Sequence, residues 1–183
     1  VYKRQDLLNR LFTFAYRCRI LTVLRHGRTG ARWVNARIAA GLRHILDPDG
    51  NPDDRLFSGA LIMITRNDYT RDLFNGDVGL VMRQSDGMVQ VYFKRIGSIV
   101  AFPASGLSDW DLAFAMTVHK SQGSEFEDTL LVLPEDSNHR LLTREIVYTA
   151  ATRASRRLIV YGTMTAFQTA MKRKIQRQSG LTG

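Results

Sequence analysis

The sequence predicts an α/β fold: a parallel sheet with flanking helices, interrupted by a small antiparallel β-barrel. Three observations carry this. The chain opens with helix, short apolar strand, glycine turn and second helix, the alternation of a layered α/β architecture. Between Phe57 and Leu107 the pattern changes to short strand-like runs joined by tight turns, as in a small barrel. An apolar run from Leu112 to Val118 then breaks into His119, Lys120, Ser121, Gln122, Gly123, Ser124 and Glu125. That composition suits a ligand-bearing loop beyond the carboxyl end of a buried strand, and an ordinary polar turn would look much the same.

Leu7, Leu8, Leu11, Phe12 and Ala15 recur at helical spacing and predict an opening helix ending near Arg17. Ile20 to Leu24 reads as a buried strand, and the Gly27 and Gly30 that follow as turn glycines. Val34, Ile38, Leu42 and Ile45 mark a second helix, closed by Asp47-Pro48-Asp49-Gly50. Ala60–Thr65, Val78–Met82, Met88–Phe93 and Ser98–Phe102 are the barrel strands, with Asp86-Gly87 as a hairpin turn. Arg66, Arg71, Lys94 and Arg95 either bring this barrel to a phosphate backbone or are solvated strand ends, and Tyr92 either stacks on a base or packs. A strand over Thr129–Leu133 follows, closed by Pro134. Thr143 caps a helix through Ala151, and Leu158–Tyr161 is a further buried strand. Met164, Phe167, Met171 and Ile175 stripe a last helix whose outer face carries Lys172, Arg173, Lys174 and Arg177.

The net charge of +9 favours a polyanionic partner, nucleic acid before membrane. No apolar run is long enough to span a bilayer. One cysteine, Cys18, admits neither an internal disulfide nor a Cys/His metal cluster, so no metal site is expected and a cytoplasmic protein is. His119 lacks a serine, cysteine or carboxylate partner for base catalysis. No G-x-x-x-x-G-K-[ST] string occurs, so Gly27-Arg28-Thr29-Gly30 is not a phosphate loop of that kind. The opening on Val1 rather than methionine suggests a piece of something longer.

T-V-H-K-S-Q-G-S-E-F (Thr117–Phe126) resembles motif V of superfamily 1 DNA helicases in the RecD-like branch, which includes the alpha subunit of exonuclease V. V-Y-T-A-A-T-R-A-S-R-R-L-I-V-Y-G (Val147–Gly162) resembles their motif VI. I-L-T-V-L-R-H-G-R-T-G, R-N-D-Y-T-R-D-L-F-N-G-D-V-G and R-Q-S-G-L extend the likeness over most of the chain.

The resemblance implies a discontinuous second RecA-like motor domain, residues 1–56 and 108–183, with an SH3-like barrel inserted at 57–107. It implies an ATP-dependent 5′-to-3′ helicase subunit, acting on single-stranded DNA beside RecB-like and RecC-like partners. Arg153 would be the arginine finger, a role that suits a rigid, permanently charged fork. The rival reading of Arg153 is an ion pair with Glu145 or Asp128. Gly123, Glu125 and Gln122 would lie at the nucleotide, with Glu125 otherwise a first-turn carboxylate of a following helix. Arg25 would reach nucleotide phosphates from motif IV. Asn35, Thr117 and His119 would touch DNA. The Walker lysine and the Mg²⁺ ligands would come from a first motor domain, and this half alone would not hydrolyse ATP. By the carboxyl-end rule, Arg153 is expected at the rim where the strands beginning near Ile20, Leu112 and Thr129 terminate. The motor reading is made to depend on that placement, with a basic α/β protein carrying a small barrel as what remains without it. A non-enzymatic nucleic-acid-binding module, a stand-alone RecD-like helicase and the helicase half of a conjugative relaxase are the competing readings.

Overall fold

The computed structural model describes residues 2–48, 50–51 and 54–174, with side chains from residue 5 onward. Contacts divide the chain into two compact units, Val1–Arg17 with Arg32–Ala115, and Cys18–Ala31 with Met116–Gly183.

The first unit holds helices α1 (Tyr2–Arg17) and α2 (Ala31–Leu46) and a five-stranded antiparallel sheet. Its strands are β2 (Leu61–Ile64), β3 (Val78–Arg83), β4 (Val89–Arg95), β5 (Ser98–Pro103) and β6 (Trp110–Leu112), in the order β5-β4-β3-β2-β6. The antiparallel strands stand where the sequence places them, paired in series among the described residues. Phe57, Ile62, Ile64, Leu73, Val81, Val91 and Phe93 form the core, and Ala39 and Leu42 of α2 pack against it. Tyr92 is buried, its hydroxyl donating to Gln90 Oε1 and accepting from Gln84 Nε2, so it packs rather than stacks on a base. On α1 the stripe divides. Leu8 and Phe12 are buried, while Leu7 is exposed.

The second unit is a parallel sheet in the order β7-β1-β8-β9, built from β1 (Cys18–Thr22), β7 (Ala115–Thr117), β8 (Phe126–Val132) and β9 (Ala154–Tyr161). β1 runs parallel to β8, Cys18 opposite Asp128 and Thr22 opposite Val132, and β8 runs parallel to β9. Helices α3 (Arg144–Ala151) and α4 (Met164–Lys172) each begin on a threonine cap. Thr143 Oγ1 accepts from the Ile146 amide, and Thr163 Oγ1 accepts from the Ala166 amide. Among the described residues no helix is long and apolar enough to cross a membrane.

Four expectations change. The run Leu112–Val118 is not one strand. Its first part closes the antiparallel sheet as β6, three residues form β7, and Val118–Ser121 is a 3₁₀ turn. Apolar pattern reports burial, and both sheets bury it. No helix follows Gly123, because the chain enters β8 at Phe126, so Glu125 is not a first-turn carboxylate. β9 is an edge strand, with Ile159 and Tyr161 exposed rather than buried. On α4 the small residues Ala166 and Ala170 are buried while Met164 and Met171 are exposed; Ile175 and Arg177 lie outside the described residues.

Candidate functional site

Arg153 sits in the tight connection between α3 and β9. Its amide donates to the Ala150 carbonyl at 3.1 Å, and its carbonyl accepts from the Phe126 amide at 2.8 Å. These bonds lay the connection against the residues that precede β8. The guanidinium then donates from Nη1 to the Ser124 carbonyl at 3.1 Å and from Nη2 to Thr152 Oγ1 at 3.2 Å. Its Nε is buried with no hydrogen-bond partner. No carboxylate pairs with it among the described residues, since Asp128 is taken by Arg156 at 2.6 Å and Arg157 at 3.1 Å. Burial raises the Asp128 carboxyl, and the hydrogen bonds from those two arginines outweigh it, leaving the group below its ordinary value. The ion-pair reading of Arg153 therefore fails. A partly desolvated cation stands with two neutral acceptors and no counter-charge.

Gly123 lies one residue from the Ser124 carbonyl. Its φ of +83° is a left-handed conformation that favours glycine. A Cβ placed there would meet nothing within 4 Å, so the backbone faces open space. Gln122 and Glu125 are exposed on either side. Arg153 thus lies against the backbone of the segment that carries Gln122, Gly123 and Glu125, 29 residues away in sequence.

Their location corrects the carboxyl-end expectation. Phe126 opens β8 and pairs with Ala154, which opens β9, so Arg153 and Ser124 lie at the amino ends of these strands. The reason is the crossover. A helix returning between parallel strands delivers its last residues to the edge where the next strand begins.

Arg25 is not part of this cluster. It follows the end of β1, which is level with the end of β8 at Val132. The seven residues of β8 put roughly 20 Å of strand between the two edges. Asn35 is also corrected. It is buried, its amide nitrogen donates to the carbonyls of Leu112 and Ala115 at 2.8 Å each, and its oxygen accepts from the Ala115 amide at 2.8 Å. Every polar function of that side chain holds the bend between β6 and β7, leaving nothing for DNA.

Thr117 and His119 stand toward the other end of the parallel sheet. Thr22 Oγ1, at the close of β1, lies 3.5 Å from the Met116 carbonyl. Thr117 Oγ1 accepts from the Lys120 amide and starts the 3₁₀ turn. His119 is exposed and opens onto a groove with Asn138, Arg140, Lys172, Arg173 and Lys174. The segment from Thr117 to Glu125 consequently runs from the carboxyl end of β1 to the amino end of β8. In the first unit Lys94 is exposed, whereas Arg95 is paired with Asp77 at 3.0 Å and Arg71 with Asp68 at 2.7 Å.

A family model for the UvrD-like helicase C-terminal domain matches residues 112–161, which include both the Thr117–Glu125 segment and Arg153. RecBCD enzyme subunit RecD of Haemophilus influenzae is 39% identical over 89% of this chain, and that of Mycolicibacterium smegmatis is 37% identical over 89%. The ATP-dependent RecD2 DNA helicase of Deinococcus radiodurans is 33% identical over 85%. Over most of its length the chain is similar to RecD-like helicases.

It spans only about a quarter of the length of these relatives, 24%, 28% and 21% respectively. Among solved structures, Pif1 helicase from Bacteroides, in complex with ADP-AlF3 and single-stranded DNA, aligns with a TM-score of 0.55 at 19% identity, covering 85% of this chain and 42% of that one. Pif1 from Candida albicans aligns at 0.53 and 15% identity, covering 90% and 51%. These likenesses show the fold: the parallel sheet with helices is that of a helicase motor domain. The Thr117–Phe126 and Val147–Gly162 stretches singled out in the sequence meet where Arg153 donates to the Ser124 carbonyl.

Two features escaped the sequence. The Ser124 carbonyl is the acceptor for Arg153, and no side-chain pattern marks a carbonyl. Arg19 is 1% exposed with its guanidinium 5.2 Å from the centroid of the Phe126 ring, which a strand pattern of C-R-I-L-T gives no reason to expect.

Proposed function

We propose that this chain is a C-terminal part of an ATP-dependent 5′-to-3′ DNA helicase subunit of the exonuclease V type, acting in double-strand break repair. Residues 1–56 and 108–183 constitute its second motor domain, and 57–107 an SH3-like insert. It works in the cytoplasm beside RecB-like and RecC-like subunits. Arg153 is its arginine finger. The observation that carries this reading is the guanidinium without a counter-charge, its Nε buried and unpartnered, beside the open backbone of Gly123.

Those residues fit a triphosphate. A desolvated cation with spare donors, next to exposed amide-bearing backbone, suits the oxygens of a γ-phosphoryl group. When bound, ATP supplies the phosphoryl group transferred to water, together with the Mg²⁺ that offsets its charge. Arg153 would hold the γ-phosphate oxygens, and Glu125 the nucleoside side, with Gln122 linking this edge to the DNA-facing end at Thr117 and His119. The Walker lysine and the Mg²⁺ ligands belong, in this reading, to a first motor domain. Closure of the two domains brings Arg153 across the cleft and moves the strand.

Arg153→Ala in the full-length protein should lower DNA-stimulated ATP turnover by about 10³-fold or more, with single-stranded DNA affinity nearly unchanged. Arg153→Lys should recover little, because one point charge does not replace a fork. Unchanged turnover in Arg153→Ala would refute the assignment.

A further inference from the structure

His119 opens onto a groove of about 920 Å³ in the second unit, walled by Asn138 and Arg140 from the loop after β8 and by Lys172, Arg173 and Lys174 at the end of α4. Among the described residues no carboxylate lines it. The nearest acidic residues in that loop are Glu135 and Asp136, and Asp136 Oδ1 is already engaged by the Asn138 amide at 2.8 Å. Arg140, Lys172 and Lys174 are exposed. Three long cations and an imidazole therefore face one concavity without internal neutralisation, an arrangement that raises the local concentration of anions.

The walls are prebuilt. The Arg173 guanidinium donates from Nη1 to the carbonyls of Asn138 at 3.0 Å and His139 at 2.7 Å, and the Arg173 carbonyl accepts from the Arg144 amide at 2.9 Å. One arginine thus ties the loop, the end of α4 and the start of α3 together. It positions the others rather than meeting a ligand itself.

We propose that this groove seats backbone phosphates of single-stranded nucleic acid, with Arg140, Lys172 and Lys174 as phosphate donors and His119 at the mouth toward Thr117. The inference extends the strand path given under Proposed function and rests on that reading for the identity of the polymer. Lysines and an exposed arginine reach phosphate oxygens without reading bases, which suits a surface that must accept any sequence. An acidic partner protein is the alternative occupant. Leu141, Thr143 and Ile146 complete the lining, and a row of flexible cations beside a small apolar surface fits the regular phosphate spacing of a nucleic-acid strand, whose sugars and bases meet apolar side chains without reading sequence.

The test uses the full chain and a fluorescent oligothymidylate, with Kd measured between about 50 and 300 mM salt, a range over which phosphate contacts dominate the change. Arg140→Ala/Lys172→Ala/Lys174→Ala should weaken binding at least about tenfold and lower the slope of log Kd against log salt by about two, at roughly 0.7 per phosphate contact. Arg156→Gln/Arg157→Gln removes two charges elsewhere on this unit and should change the slope little. Arg140→Glu alone should reproduce the direction of the triple variant and serves if the triple is unstable by thermal melt. In the full-length protein the DNA concentration needed for half-maximal ATPase should rise in step. Equal affinity and slope in the triple variant, the control and the unsubstituted chain would overturn the groove while leaving the motor reading intact. Failure of the unsubstituted chain to bind the oligonucleotide would overturn both.

Discussion

Charge placement at single residues separates the structural arginines from the functional ones. Arg83 and Asp47 form the best-satisfied pair in the first unit. Arg83 Nε and Nη2 each donate to a different Asp47 oxygen at 3.0 Å, and the Ser58 amide donates to Oδ2 at 2.8 Å. The Arg83 hydrogen bond, aided by Ser58 and opposed by burial, holds the Asp47 carboxyl below its ordinary 3.8. A carboxylate lowered in the folded state adds stability that is complete above its unfolded value and is lost as pH falls through the lower folded one. Acid unfolding of the first unit should therefore begin below about pH 4, and Asp47→Asn should flatten that dependence. The same substitution should cost about 2 kcal/mol at neutral pH, since it breaks a charge-assisted network and leaves Arg83 without its main acceptor. Chemical denaturation across pH measures both effects, and a neutral-pH change below about 0.5 kcal/mol would refute the role. Arg153 contrasts with this. Its two acceptors are neutral, and its positive charge is unspent.

Among the elements, the bend between β6 and β7 decides most. Leu112 ends a strand of the antiparallel sheet and Ala115 begins one of the parallel sheet, with Ala113 donating its amide to the Leu61 carbonyl between them. A strand that changes sheets strands its own backbone groups, and Asn35 satisfies three of them. Asn35→Ala should cost about 3 kcal/mol and reduce cooperativity in urea, because the orphaned carbonyls and amide have no other partner nearby. A loss under about 1 kcal/mol would mean that water replaces the amide at no penalty. The element types themselves were legible in the sequence: helical spacing on α1 and α2, the Asp86-Gly87 hairpin and the threonine cap of α3 all stand as read. Element partners were not. An apolar run such as Leu112–Val118 says that side chains leave water, and two different sheets can provide that. Likewise the apolar letters of Leu158–Tyr161 suit a buried strand, yet β9 lies at a sheet edge because no further strand among the described residues pairs with it.

For the whole molecule, the +9 charge is the property with the widest reach. It predicts that single-stranded DNA binding weakens steeply with ionic strength, by about 0.7 in log–log slope for each phosphate neutralised. An affinity that is flat between about 50 and 200 mM salt would refute a phosphate-based track. The grouping of charges was only partly visible beforehand. Lys172, Arg173 and Lys174 read as a basic stripe from the sequence, but nothing in it linked them to Arg140 or to His119, 21 residues earlier than Arg140. The Thr117–Phe126 and Val147–Gly162 stretches stood out because they are contiguous strings, and the structure brings Ser124 of one against Arg153 of the other. Asn35 and Arg25 were assigned from the family resemblance, and a resemblance along the chain does not say that Asn35 is spent inside the β6–β7 bend or that Arg25 follows the sheet edge opposite Arg153.

Sequence by itself determined the kind of protein: local spacing sets helices and strands, and short contiguous motifs bring their chemistry with them. Only the tertiary structure decided that Arg153 lies at the amino edge of β8 and β9 beside Ser124, with its charge uncompensated, and that His119 shares a groove with Arg140 and the end of α4. Those facts depend on which strands lie side by side and in which direction they run. Such pairings are settled by packing between distant segments, on which local sequence carries no information.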